Sequence, residues 1–557
     1  MKTLSALIAA LLLLPGLGDP VWGQAAPSAA EAVSISAKVD EIFAPLKSQE
    51  APGCAVAVGE GGRTVVSQAY GMADLEHDVP NTPDTIFEAG SVSKQFTAAA
   101  VLLLAQQGKL SLQDDVRKHV PELPEYLPAG TKITIDHLLH HTSGLRDWGA
   151  VAELGGWPRG TRIHTHDHVL DIASRQKSLN YEPGRYYSYT NTGYNLLVII
   201  AERVSGQKFQ DFSRQNIFEP LGMTHTQWRD DFSRIVKGRA IAYTGKPGDF
   251  HSEMPFENVF GNGGLLTAVG DLLLWNENFV HGKVGGPAFL QEMQRRGRLT
   301  DGQEIEYARG LFMTSWKGLP EVSHSGATAG YRAFLARYPE QKLSVAVLCN
   351  VGAANPVDLA HRTAGLFLAS QLKPLPPPTP VQLAPEVLAA RAGLYRSLRT
   401  GMPVRLVVAE GRLQMEDGPP LVPLSESRFQ LGEDTVVELD LGPDGRSTGM
   451  RFVRSSGDVV PFERVAEASP APAQLAEYAG EYASNEAEAT YRVVVEDGKL
   501  VVRGRPASSF PLTPLYADAF DADGLLVRFR RDAAGRVSEL SLVLPRVWDL
   551  RFARAGG

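Results

Sequence analysis

Cysteine is scarce in this sequence, whose 557 residues include only Cys54 and Cys349. Two thiols are too few for a disulfide-rich scaffold or for a zinc site built on several cysteines. Both lie in apolar, strand-like runs. We interpret them either as buried small hydrophobic side chains or, in an exported protein, as one disulfide.

A basic run is also absent. The chain has 55 Lys and Arg against 63 Asp and Glu, a net charge of −8, so nucleic acid is not an expected partner. The glycine-rich residues 261–267 lack the Lys-Ser/Thr ending of a phosphate-binding loop, so nucleotide binding is not expected either.

Long apolar stretches are missing beyond the N-terminus. Residues 4–14 form one apolar run behind Lys2, and Val21 and Gly23 follow at the positions that a signal peptidase reads. This pattern is typical of a secretory signal, and the run is short for a membrane span. We predict a signal peptide over residues 1–23, a periplasmic or secreted mature chain, and no stable membrane span after cleavage.

The length of the chain predicts two to four domains. Residues 33–372 carry alternating helix and strand patterns, and the proline-rich residues 373–382 form a stiff linker. Behind the linker, short strands and tight turns replace the long helices. We divide this tail into residues 383–466 and 473–557.

The tail contains an internal repeat with an offset of 87 to 91 residues. The segment at 392–395 matches that at 479–482, and the segment at 462–464 matches that at 552–554. Two copies of one small all-β unit predict two antiparallel barrels, which could be spacers, ligand binders or walls of a cleft. Their nearest charged turn, residues 521–524, is short and is not expected to reach a cleft.

Ser91 and Lys94 begin the clearest helix of the sequence. Apolar residues recur behind them at three-to-four spacing through Leu104, which predicts an amphipathic helix. The helix dipole and burial both disfavour a charged lysine in the first turn. Lys94 would then be a neutral amine able to take the proton of Ser91. A second S-x-x-K, at Ser174, has no long apolar helix behind it, and we interpret it as a solvated helix end.

Histidine and tyrosine are concentrated between residues 137 and 194. Six of the thirteen histidines lie between 137 and 168, without cysteines or an organised carboxylate set beside them. We interpret them as polar surface residues and expect no metal site. Four tyrosines and Asn191 follow at 186–194, where the tyrosine hydroxyls could also simply pack against core edges.

Three motifs come in a fixed chain order, namely Ser91-x-x-Lys94, Tyr189-x-Asn191 and His324-x-Gly326. With the HTSGL segment at 141–145 and the turn at 263–265, they resemble the serine penicillin-recognising enzymes. This superfamily spans class C β-lactamases, D-alanyl-D-alanine carboxypeptidases, D-aminopeptidases and related esterases. The resemblance extends over about residues 35–370, and the tandem barrels look most like the three-domain D-aminopeptidases.

The resemblance implies an α/β (α+β) catalytic domain of the β-lactamase/transpeptidase type, with an antiparallel sheet between helical layers, followed by two small all-β barrels. In that fold the N- and C-terminal strands are neighbours. Cys54 and Cys349 would then lie close enough to bridge.

The resemblance also implies the catalytic roles. Ser91 would be the nucleophile, Lys94 and Tyr189 would share proton transfer, and Asn191 would orient Lys94 and the substrate carbonyl. The implied chemistry is acyl transfer to Ser91 followed by hydrolysis, with neither metal nor cofactor.

The third motif implies the groups that hold the substrate. The backbone amides of Ser91 and Ala327 would form the oxyanion hole. His324 would anchor or polarise the substrate beside Ser325 and Gly326. Many β-lactamases and carboxypeptidases carry lysine at the position of His324, and a histidine is charged only part of the time near neutral pH. This weakens the case for a β-lactam or C-terminal carboxylate substrate.

We therefore expect a secreted serine hydrolase of peptide or amide bonds, similar to D-aminopeptidases or D-Ala-D-Ala carboxypeptidases. Its expected substrates are small peptides, amides or esters, with peptidoglycan fragments among the candidates. An esterase or weak β-lactamase uses the same catalytic set and stays open. A catalytically decayed peptidoglycan or ligand-binding protein is the alternative of another class.

Overall fold

The computed structural model describes residues 29–555 except 374, 375, 377 and 506. The predicted signal peptide lies outside these residues, and so does part of the predicted linker. Within the described ranges, no helix combines the length and the apolar character needed to cross a bilayer.

A six-stranded antiparallel sheet forms the centre of the N-terminal domain. In sheet order its strands are Phe312–Trp316, Leu319–Thr328, Tyr331–Tyr338, Leu343–Cys349, Cys54–Glu60 and Arg63–Tyr70. The register sets Cys54 opposite Cys349, and a disulfide joins the two with their Cα atoms 4.0 Å apart. The expectation that these cysteines can bridge is confirmed.

Helices cover both faces of this sheet, which confirms the expected layers. Ala29–Ile42 and Pro356–Leu368 pack on one face and Val269–His281 on the other. The other α-helices of five or more residues in the described part of this domain are Lys94–Gln106, Ile135–Leu139, Trp148–Leu154, His166–Arg175, Asn191–Ser205, Phe209–Ser213 and Gly286–Met293.

The helix that follows Ser91, Lys94–Gln106, is buried on all sides through Leu104. The prediction of an amphipathic helix is therefore wrong. Neighbouring elements supply hydrogen bonds to its polar side chains: Gln95 Oε1 accepts from Trp275 Nε1 at 2.8 Å, and Thr97 Oγ1 donates to a backbone carbonyl at 2.8 Å. These bonds reduce the cost of burying the two side chains, although Gln95 Nε2 has no partner among the described residues.

The tail forms two nearly closed antiparallel sheets, each with its first strand beside its last, as expected. Short helices, Pro385–Arg391 and Pro472–Tyr478, precede them. The first barrel contains Gly393–Ser397, Pro403–Ala409, Arg412–Met415, Val422–Pro423, Arg428–Leu431, Thr435–Leu441, Ser447–Arg454 and Val459–Val465. The second contains Gly480–Ser484, Ala489–Glu496, Lys499–Gly504, Ser508–Pro511, Thr513–Pro514, Ala519–Ala522, Leu525–Arg531, Val537–Leu544 and Val547–Arg554.

The sequence repeat corresponds to repeated contacts in the two barrels. The hydroxyls of Tyr395 and Tyr482 each donate to the carbonyl four residues earlier, at 2.6 and 2.7 Å. The guanidinium groups of Arg464 and Arg554 each donate to the carbonyl just before the first strand, at 2.6 and 2.5 Å. The same residues therefore fasten the entry of both barrels.

The second barrel shares a hydrophobic core with the N-terminal domain. Its interior residues form one buried cluster with side chains of Trp148–Leu154 and His166–Arg175. Arg146 is buried between the two units and donates to Glu486 Oε1 and to the carbonyl of Asp549, both at 2.8 Å. The barrel is thus packed directly against the loop that follows the HTSGL segment.

Candidate active site

Ser91 lies in a short 3₁₀ turn, Gly90–Ser93, that leads into the helix Lys94–Gln106. Residues three apart eclipse each other in such a turn. Lys94 Nζ accordingly lies 3.2 Å from Ser91 Oγ, while Ser174 sits near the exposed end of His166–Arg175. The structure brings the first serine and its lysine together.

Lys94 is completely buried and is surrounded by oxygen acceptors. Its Nζ donates to Asn191 Oδ1 at 3.0 Å and to the carbonyl of Asn262 at 2.7 Å. Burial holds the pKa of Lys94 well below 10.5, and the positive charge of Arg546 lowers it further. Two acceptors occupy both hydrogens of a neutral amine, so its lone pair is left for the hydroxyl of Ser91.

The glycine-rich turn supports Lys94 instead of a phosphate. Its Asn262 supplies the carbonyl acceptor, and Asn262 Oδ1 accepts from Asn195 Nδ2 at 2.8 Å. Asn191 begins the helix Asn191–Ser205, and its backbone N–H donates to Asp147 Oδ2 at 2.8 Å. The sequence pattern of this turn argued against a phosphate loop but gave no sign that Asn262 is part of the site.

Tyr189 lies beside both residues. The centroid of its ring is 4.8 Å from Lys94 Nζ. Its hydroxyl is buried and makes no well-formed hydrogen bond to another described residue. Burial raises the pKa of Tyr189 more than the nearby Ser91 hydroxyl lowers it, so the phenol is neutral and available as a proton donor.

The backbone of the turn at Ser91 lies so close to the strand Leu319–Thr328 that two positions, Gly90 and Gly326, have no room for a side chain. A Cβ on Gly90 would lie 2.5 Å from the backbone nitrogen of Ala327, and Gly90 has a φ of +51°. A Cβ on Gly326 would lie 3.1 Å from the nitrogen of Ser91. The amides of Ser91 and Ala327 therefore lie side by side, the arrangement that an oxyanion hole needs.

His324 lies within the strand Leu319–Thr328 and is buried. Its Nδ1 is 2.6 Å from the carbonyl of Ser325 and must carry the hydrogen, so Nε2 accepts from the Tyr307 hydroxyl at 3.2 Å. Burial lowers the pKa of His324 to about 3. The expectation of a partly charged histidine near neutral pH is wrong, because the ring is uncharged.

The prediction of polar surface histidines is also wrong, since His140, His141 and His164 are buried. His141 Nδ1 accepts from the backbone N–H of Thr190 at 3.3 Å, and its ring lies 4.2 Å from that of Tyr189. Burial lowers the pKa of His141. The HTSGL turn thus packs beneath the tyrosines of the site, which no local pattern indicates.

The second barrel reaches the site through a different turn from the one considered in the sequence. The hairpin between Val537–Leu544 and Val547–Arg554 carries Arg546, whose guanidinium carbon lies 5.1 Å from the centroid of the Tyr189 ring. The hairpin borders a cleft of about 350 Å³, which both barrels and residues 187–189 also line. Of the roles left open for the barrels, that of a cleft wall is the one that this lining supports, and the charged turn at residues 521–524 is not part of the lining.

Comparison with known proteins agrees with this architecture. A D-aminopeptidase of Gluconobacter oxydans is 29% identical over 382 residues, 68% of this chain and 69% of the relative. A D-aminopeptidase of Brucella ovis is 26% identical over 524 residues, 89% of this chain and 94% of the relative. A match of that length extends beyond the N-terminal domain into the tail. A solved penicillin-binding protein homologue from Pyrococcus abyssi has the same fold, with a TM-score of 0.54 and 22% identity over 86% of this chain and 99% of its own.

The family model described as Beta-lactamase matches residues 39–370, more than half of the chain. The matched span includes the Ser91–Lys94 pair, Tyr189 and His324. It ends before the proline-rich segment, as the resemblance in the sequence indicated. The chain belongs to the beta-lactamase family.

Proposed function

We propose that this protein is an exported serine hydrolase that cleaves small peptide or amide substrates through an acyl-enzyme on Ser91. The observation that carries the proposal is the pairing of Ser91 with a fully buried Lys94 whose hydrogens are engaged by two carbonyl oxygens. Membership of the beta-lactamase family and the D-aminopeptidase relatives support a serine hydrolase of the peptide or amide type.

The reaction begins when Ser91 Oγ attacks the substrate carbonyl carbon and its proton passes to Lys94 Nζ. The amides of Ser91 and Ala327 hold the negative oxygen of the tetrahedral intermediate. The phenol of Tyr189 gives a proton to the leaving amine and recovers one from Lys94. Water then hydrolyses the ester on Ser91 by the same proton transfers in reverse.

The site can be tested by covalent labelling with a fluorophosphonate and a fluorescent penicillin. The wild type should be labelled and should hydrolyse at least one member of a panel of D-amino-acid amides, D-Ala-D-Ala peptides, nitrocefin and nitrophenyl esters. Ser91→Ala should lose labelling and at least about 10³-fold in kcat/KM. Ser174→Ala, in the second S-x-x-K, is the matched control and should behave as wild type.

Two outcomes would contradict the proposal. Labelling that persists in Ser91→Ala would assign the nucleophile elsewhere. A folded wild type that no acylating reagent labels would favour a ligand-binding protein with a decayed site.

Export is the second part of the proposal and rests on the pattern of residues 1–23. Fractionation of cells that express the full chain should recover it outside the cytoplasm, beginning at Gln24. Peptidoglycan fragments are then among the substrates that it would meet. Recovery of the uncleaved chain from the cytoplasm would contradict export but not the proposed reaction on Ser91.

A further inference from the structure

The cleft lined by Tyr189 and by both barrels carries an excess of positive charge. Its charged lining residues are Arg399, Arg454 and Arg546 against Asp458. Asp458 pairs with Arg399 at 2.7 Å and with Arg454 at 3.2 Å. These three groups keep a net charge of +1, but both arginines are paired with Asp458. Arg546 is the arginine of the cleft lining that pairs with no carboxylate of that lining.

The guanidinium of Arg546 makes no hydrogen bond to any other residue that the structure describes. Its nearest carboxylate is Asp147, at 3.8 Å. That carboxylate already accepts from the backbone N–H groups of Gly149, Ala150 and Asn191 at 3.1, 3.3 and 2.8 Å. The five N–H donors of this arginine are therefore free beside Tyr189, and its side chain is 45% exposed.

The backbone holds this hairpin in place without the Arg546 side chain. The carbonyl of Arg546 accepts from Asn180 Nδ2 at 3.1 Å and from the backbone N–H of Asp147 at 3.3 Å. The N–H of Trp548 donates to Asn180 Oδ1 at 3.0 Å. A substitution that changes only the side chain at position 546 therefore leaves the fastening of the hairpin intact.

The distance from Arg546 to the nucleophile suits a small substrate. Lys94 Nζ and the guanidinium carbon of Arg546 lie 4.8 and 5.1 Å from the same Tyr189 ring centroid, so they are at most 9.9 Å apart. Ser91 Oγ is 3.2 Å from Lys94 Nζ. An extended chain spans about 3.5 Å per residue. A substrate of one to four residues can therefore contact Arg546 while its scissile carbonyl lies at Ser91.

We propose that Arg546 of the second barrel binds a carboxylate of the substrate and makes the enzyme selective for substrates that carry one near the scissile bond. The inference rests on the proposed function and deepens it. Guanidinium and carboxylate pair through two parallel hydrogen bonds. His324 is uncharged and offers no positive charge to such a group. Asp458, the one carboxylate among the described residues of the cleft lining, is already paired with arginines, so a substrate ammonium group has no free partner there.

The test compares matched substrates that differ only in one carboxylate. One pair is N-acetyl-D-alanyl-D-alanine and its C-terminal amide, which places the charge on the leaving side. The other is the p-nitroanilide of N-succinyl-D-alanine and that of N-acetyl-D-alanine, which places it on the acyl side. Wild type should prefer the carboxylate member in at least one pair, measured as the ratio of kcat/KM values.

Arg546→Gln should reduce this preference about 10-fold, at the lower end of charge-assisted pairs because the side chain is partly exposed. Arg546→Lys should keep most of it. Arg536→Gln, on another hairpin of the same barrel and highly exposed, is the control and should change nothing. An unchanged ratio in Arg546→Gln, or an equal fall for both members of each pair, would overturn the inference.

Labelling of Ser91 by fluorophosphonate in every variant separates the two proposals. Without labelling of the wild type, the proposed function itself is wrong. If labelling is normal and the ratio of kcat/KM values within each substrate pair does not change on substitution of Arg546, only the role of Arg546 is wrong.

Discussion

Lys94 should impose a pH dependence on stability that its replacement by Met removes. The side chain is completely buried, burial holds its pKa well below 10.5, and no salt bridge joins it to a carboxylate in the described ranges. If Lys94 is the group that takes the proton of Ser91 at neutral pH, its amine must be uncharged in the resting folded protein. The unfolded chain carries that proton, so unfolding at pH 7 takes one up.

The sign of the effect follows from this difference in bound protons. Where the unfolded state binds one proton more, the free energy of unfolding rises with pH by about 1.4 kcal/mol per unit. The window lies above the folded pKa of Lys94 and below 10.5. Between pH 7 and 9 the wild type should therefore gain about 3 kcal/mol relative to Lys94→Met.

The difference at a single pH is less informative than the slope. Methionine also leaves the oxygen atoms of Asn191 and Asn262 without their donor, which costs about 1–3 kcal/mol each. That cost does not depend on pH between 7 and 9. It therefore lowers the free energy of unfolding of Lys94→Met by a constant amount and leaves its slope with pH unchanged. Loss of the proton acceptor should at the same time lower kcat/KM by about 10²–10⁴.

The measurement is urea unfolding of wild type and Lys94→Met at pH 7, 8 and 9. Lys109→Met is the matched control, because Lys109 is exposed just beyond the same helix, and it should follow the wild type. Parallel curves for wild type and Lys94→Met would mean that Lys94 keeps its proton when folded. That result would refute its assignment as the proton acceptor.

Two further predictions concern the frame of the site. Gly90→Ala should lower kcat/KM about 100–1000-fold, because the added Cβ would lie 2.5 Å from the nitrogen of Ala327. Gly108→Ala is the control and should leave kcat/KM unchanged, because no atom lies within 4 Å of the added Cβ. A fully active Gly90→Ala enzyme would contradict the proposed oxyanion hole. Replacing Cys54 and Cys349 by Ala should lower the free energy of unfolding by about 2–5 kcal/mol. Dithiothreitol should reproduce that loss in wild type, and insensitivity of the wild type would count against the bridge.

Several features could be predicted because they depend on local spacing. Ser91 and Lys94 are three residues apart, and any helical turn brings such residues together. The strand-like runs at Cys54 and Cys349 have the apolar character that central strands need. The offset repeat predicted two similar barrels, because matching sequences fold alike.

The patterns failed where distant parts of the chain decide the environment. The histidines of the HTSGL region look polar in sequence, yet helices and strands far along the chain cover His141. His324 resembles an ordinary titratable histidine until burial lowers its pKa to about 3. Tyr307, which donates to it, has no local signature at all.

The family could be recognised from the sequence alone, because three motifs in a fixed order resemble those of known enzymes. The division into one mixed domain and two barrels followed from the repeat and from the change in composition along the chain. Which charges lie around Tyr189 became known only from the folded arrangement. Arg546 follows Ser91 by more than 400 residues, and it reaches the cleft because an apolar core shared with Trp148–Leu154 docks the second barrel there. Electrostatic interactions depend on distance in space and on burial, and neither is written in the local pattern.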